Sequence, residues 1–142
     1  MIRERNSERK WRKAWSVSDK NVKLIIKGKL PGLNDLINAE RSNRYRAAKL
    51  KRDAEETVLW YAKASLKGKI QTPAIMHYTW IEPNRKRDKD NISSFGRKVI
   101  QDALVKGGYL KNDGWNDIHG FTDEFGVDAQ NPRIEVTFEE VT

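Results

Sequence analysis

Residues 73–106 read PAIMHYTWIE PNRKRDKD NISSFGRKVIQDALVK, and three different patterns succeed one another within them. From Pro73 to Glu82, Ala74, Met76, Tyr78 and Trp80 alternate with Ile75, His77, Thr79 and Ile81. Both sets are largely apolar, so this strand is expected in the interior of a sheet. From about Asn91 to Lys106, Ile92, Phe95, Val99 and Ala103 recur at helical spacing, widened by Ile100 and Leu104. Gly107-Gly108 supplies the stop. The joint between strand and helix sets Asp88 and Asp90 among four cations, Arg85, Lys86, Arg87 and Lys89.

That joint is chemically unusual. Hard divalent cations take oxygen ligands, which carboxylates supply, whereas Lys and Arg attract the phosphates of a nucleic acid. Carboxylates inside a basic run repel nucleic acid unless something neutralises them, and a bound metal does so. Taken alone, a solvated loop of alternating charge explains the segment equally well. Along the helix, Asn91, Ser94, Lys98 and Asp102 share one narrow stripe. Lys98 therefore stands two turns from the Asp loop, unless it only pairs with Asp102 as a surface i, i+4 neighbour. Further on, Asn112-Asp113-Gly114 is a turn signal that carries a third carboxylate. A turn alone also explains Asp113.

Working outward, Val22 to Leu30 alternates as a strand, with Ile25 the exception to its pattern, and Pro31-Gly32 ends it. Leu33 to about Lys67 is helical, in two pieces with a break around Ser42-Asn43 and a stop at Gly68. Arg41, Arg44, Arg46, Lys49, Lys51 and Arg52 form a second basic cluster there, either a solvated face or a set of phosphate contacts. One short, irregular strand is expected within Trp115 to Asp128, and a regular one from Pro132 to Val141. The β-α-α-β-α-β-β order implies one α+β domain, a mixed sheet with helices packed on one side. Residues 1–21 form a basic arm, Arg3, Arg5, Arg9, Lys10, Arg12 and Lys13 standing around Trp11 and Trp15. His77 reads as a structural histidine, since His77 and His119 are too few for an acid/base or metal centre.

With 142 residues, 34% of them charged, and a net charge of +8, the chain is one domain with a polyanionic partner. It contains no cysteine, which excludes disulfides and thiolate zinc sites. No apolar run approaches the length of a membrane span, and the N-terminus lacks a secretion signal's apolar core. A cytoplasmic protein with no membrane partner is expected.

The set Arg87-Asp88-Lys89-Asp90-Asn91, then Lys98, then Asp102-Ala103-Leu104 followed by Gly107-Gly108, an aromatic and Asn112-Asp113, resembles the RusA-type endodeoxyribonucleases. These are the phage-associated Holliday junction resolvases. The likeness extends back to Leu30-Pro31, Asn34 and the Arg-rich helix, so residues 22–142 make the nuclease domain and the arm has no counterpart. The resemblance implies Asp88, Asp90 and Asp113 as Mg²⁺ ligands and catalytic residues, with Lys98 assisting. Between Asp90 and Asp102 the chain is longer than in the shortest family members. Counting from the Asp loop would put the lysine role on Ser94, and counting back from Asp102 puts it on Lys98, which is a lysine on the stripe of Asn91. The turn has Asn112-Asp113 where some members have two aspartates. Also implied is a homodimer that cuts a four-way DNA junction symmetrically. Arg85, Lys86, Arg87, Arg44, Arg46, Lys49 and Arg52 are the candidate DNA contacts. A non-catalytic nucleic-acid-binding protein, or a metal nuclease for other branched or duplex DNA, uses the same residues.

Overall fold

Alternation and helical periodicity meet in one ladder of side chains. The computed structural model describes residues 23–141, and the basic arm expected over residues 1–21 lies outside them. The elements are β1 (Lys23–Lys27), α1 (Leu33–Ser42), α2 (Arg44–Ser65), β2 (Ala74–Glu82), α3 (Lys89–Lys106), β3 (Ile118–Val127) and β4 (Arg133–Glu140). They form a single mixed sheet in the order β1-β4-β2-β3, with β3 parallel to β2 and β4 antiparallel to both its neighbours. Leu24 lies opposite Val136, itself opposite Tyr78, and Ile26 is joined through Ile134 to Trp80 in the same way. All six are buried. Helices cover that face alone, α2 contributing Ala54, Val58 and Ala62, and α3 contributing Ile92, Phe95, Val99, Ile100, Ala103 and Leu104.

β2 is interior, as its two apolar faces implied. Gly96 lets α3 settle on it, because a Cβ there would lie 2.7 Å from the Trp80 ring. The break between the first two helices falls at Asn43, whose backbone is extended and whose Oδ1 accepts a hydrogen bond from the Arg46 N–H at 2.8 Å. It is an N-cap that starts a new helix.

Three boundaries differ from the sequence pattern. α2 ends at Ser65 rather than Gly68, because Leu66 turns extended and is buried in the core. β1 is five residues long and stops at Gly28, whose φ of +81° favours glycine. β3 runs for ten residues along the whole of β2. It is an edge strand with exposed and half-buried side chains, so it carries none of the apolar alternation that betrays an interior strand.

Among the described residues no helix is long and apolar enough to cross a membrane. For the site, the decisive feature is the β2-α3-β3 crossover. α3 begins where β2 ends and returns over the sheet, which puts Asp88 at one end of the sheet and the Asp113 turn at the other.

Candidate metal and nucleic-acid site

Asp88 occupies the N-cap position of α3 without capping it, and Asp90 lies in the first turn. Both are exposed, and neither carboxylate has a side-chain partner among the described residues. The positive end of the helix stabilises such charges. Asp88 opens onto a groove of about 780 Å³ lined by Asn84, Arg85, Lys89, Ile92, Phe125 and Val127, among others. Two carboxylates with unengaged oxygens suit magnesium, which binds through one or two carboxylates and leaves the rest of its shell to water and substrate phosphate.

The loop before them is held from below. Arg87 donates Nε and Nη2 to the two carboxylate oxygens of Glu82 at 2.9 and 2.7 Å, and Nη1 to the Leu30 carbonyl at 3.0 Å. Glu82 is buried, so Arg87 neutralises an internal charge while Arg85 and Lys86 face solvent. A second latch joins the starts of two helices. Asn91 Oδ1 accepts the Asn34 N–H at 2.8 Å, and a Cβ on Gly32 would come within 2.6 Å of that same oxygen. Glu82 gave one signal in the sequence: it ends the buried set of β2, where a carboxylate needs a cation.

Asp113 lies elsewhere. Its carboxyl lies near Asp102, which accepts from Lys51 Nζ at 2.6 Å and stands 3.4 Å from Lys98 Nζ. Burial raises the Asp102 carboxyl, but Lys51 chiefly, helped by Lys98, outweighs it and holds the group below the usual carboxylate range. Hydrogen bonding to Asp102 in turn raises Lys51. Twelve helical residues separate Asp90 from Asp102, about 18 Å of rise. Within one chain, therefore, Asp88 and Asp90 are neighbours and Asp113 does not join them. Among the described residues no three acidic or histidine side chains cluster as a metal site.

Lys98 stands between the two groups, 62% exposed. Asp102 proves to be more than its surface partner, because it ties α3 to α2 through Lys51. Buried Glu55 continues this seam, with Lys106 at 2.7 Å and Lys51 at 3.6 Å. The remaining candidates lie on α2. Arg44 and Arg52 are exposed, Lys49 pairs with Asp53 at 2.7 Å, and Arg46 donates to Ser42 Oγ at 3.1 Å. Arg46 and Lys49 line a second groove, bordered by Lys29, Asp35 and Asn38. His77 bridges Thr122 and Glu139 at 2.7 and 2.9 Å, on the sheet face away from the helices. No protein-family model matches the chain, and no curated protein sequence matches it.

Proposed function

We propose that this protein is a magnesium-dependent endodeoxyribonuclease of the RusA type, a homodimer that cuts four-way DNA junctions. The observation that carries this reading is the pair Asp88 and Asp90, exposed and unpartnered among the described residues, the first of them lining a groove, beside the cations Arg85, Lys86, Arg87 and Lys89. A loop evolved only to bind phosphate has no use for two such carboxylates.

Asp88 and Asp90 would hold the ion, which when bound activates water and stabilises charge on the scissile phosphate. Arg85 and Lys86 bind the flanking phosphates. Lys98 presents an ammonium along the same helix, where it neutralises charge that builds on the reacting phosphate group. Glu82 and Arg87 fix the loop that carries the ligands. Asp113 would complete the ligand set from a second copy, because in its own chain it lies near Asp102, about 18 Å along α3 from Asp90.

Asp90→Asn is expected to lower junction cleavage by 10²-fold or more while junction binding is retained or strengthened, since a negative charge is lost. Gel-shift and cleavage assays with and without Mg²⁺, on a mobile junction and on linear duplex of equal length, read both quantities. Loss of binding together with cleavage counts against a catalytic role for Asp90. The separation of Asp113 from Asp88 and Asp90 within one chain favours a second reading, a non-catalytic nucleic-acid-binding protein. Absence of any metal-dependent cleavage by the wild type would establish that alternative.

A further inference from the structure

The sheet has a second face, turned away from the helices. On it Lys23, Thr137, His77 and Thr122 stand in one row across all four strands, and Ile25, Glu135, Thr79 and Glu124 in the next. Ile75 lies beside Glu139 in the row before, and Ile81 beside Arg133 in the row after. These residues alternate with the buried ones, and none of the described helices covers them.

A sheet face left to water carries polar residues along its strands. Here β2 keeps Ile75 and Ile81, both half-buried, and β1 keeps Ile25, 37% exposed. Among them the Thr137 hydroxyl oxygen is shut off from solvent and has no hydrogen-bond partner among the described residues. An unmet buried hydroxyl is costly, so this face calls for a cover that brings polar groups as well as apolar ones. Its carboxylates are unevenly matched. Glu135 has Lys23 and Arg133, and Glu139 has His77, whereas Glu124 is exposed with no ion pair among the described residues.

Lys23 opens β1 at one margin of this face, and 22 residues precede it. Three inter-strand steps, roughly 14 Å, separate β1 from β3, and a dozen helical residues span about 18 Å. The arm is therefore long enough to cross the sheet. It is also matched in chemistry, since it sets Trp11 and Trp15 four residues apart, as neighbours on one helical stripe, and holds seven cations against three acids. We propose that residues 1–22 dock across the open face of their own sheet as its second layer, the two indoles against Ile25, Ile75 and Ile81 and the basic side chains toward Glu124 and Glu139. Nucleic acid suits this face poorly, because those carboxylates repel phosphate. A second copy would bring the same acids with it, since a two-fold contact sets a face against itself. The arm brings the opposite charge, and its attachment at Lys23 raises its effective concentration. The candidate metal site stands on the helix side of the sheet, so this docking is independent of the nuclease reading.

Because the chain has no cysteine, a single nitroxide can be attached to the full protein through Ser7→Cys and read by NMR. The amide signals of Thr79, Thr122 and Glu124 are expected to lose most of their intensity, while those of Arg52 and Glu56, exposed on α2, keep theirs. Adding Trp11→Ala and Trp15→Ala to the labelled chain should restore the lost signals, and spectra recorded without the nitroxide check that the fold is intact. Full intensity across the open face overturns the proposal, and so does loss on α2 in its place. Loss that survives both tryptophan substitutions overturns it too, because attachment alone would then keep the arm nearby. A mixture of nitroxide-bearing chain at natural isotope abundance with isotope-labelled chain lacking the nitroxide should show no loss. Loss in that mixture gives the face to a second copy's arm, and loss that appears only once junction DNA is added gives the arm to the nucleic acid; either overturns docking on its own sheet.

Discussion

Arg87 closes three hydrogen bonds inside the molecule, while Arg85, two positions earlier, is exposed. Arg87→Ala leaves the buried Glu82 carboxylate unpaired, a loss of about 3–5 kcal/mol, to be seen as a lower urea midpoint with an unchanged slope. Arg85→Ala should keep the midpoint within about 0.5 kcal/mol and weaken junction binding instead. Equal midpoints for the two variants would mean that the clamp contributes nothing. In the sequence these arginines were indistinguishable, because both stand in one basic run. What separates them is the burial of Glu82, decided by the β2 register and by the helices laid over it. Asp88, Asp90 and Lys98 were legible as chemistry because local spacing suffices to place them on the start and one stripe of a helix.

At the scale of elements, β4 holds the edge strand β1 partly through Glu135, which takes Lys23 at 2.8 Å and Arg133 at 2.7 Å. Burial raises the Glu135 carboxyl, but the hydrogen bonds from Lys23 and Arg133 outweigh it and leave the group below its ordinary value. In the unfolded chain a glutamate titrates at about 4.3, so Glu135's share of stability is complete above that pH. It disappears as pH falls through the lower folded value. Thermal melts from neutral to acid pH should therefore lose less stability for Glu135→Gln than for wild type. Because Lys23 is 47% exposed, the difference stays within about 1 kcal/mol, and parallel acid limbs would disprove it. β2 and α3 were readable because interior elements must alternate or repeat apolar residues. β3 was not: at an edge, paired on one side only, it can be polar and still lie along all of β2.

For the molecule as a whole, the question is which chain completes which site. Mixing Asp90→Asn with Asp113→Asn separates the possibilities. If a site draws Asp88 and Asp90 from one copy and Asp113 from the other, half of the sites in a mixed dimer are intact, and nicking returns. If each chain builds its own site, every site carries a lesion and the mixture stays as inactive as its components. Titrating one variant into the other and measuring junction nicking decides between them. The sequence supplied the three aspartates but not their distance, which is fixed by the length of α3 and by the path from Gly107 to Asp113.

That length also has a kinetic meaning. Under the proposed arrangement a solitary chain carries two half-sites and no whole one, so it cannot nick DNA however tightly it binds. Below the dimer dissociation constant the cutting rate would fall with the square of protein concentration. About 18 Å of helix would then act as a safety threshold, keeping sparse copies harmless to the duplex they touch.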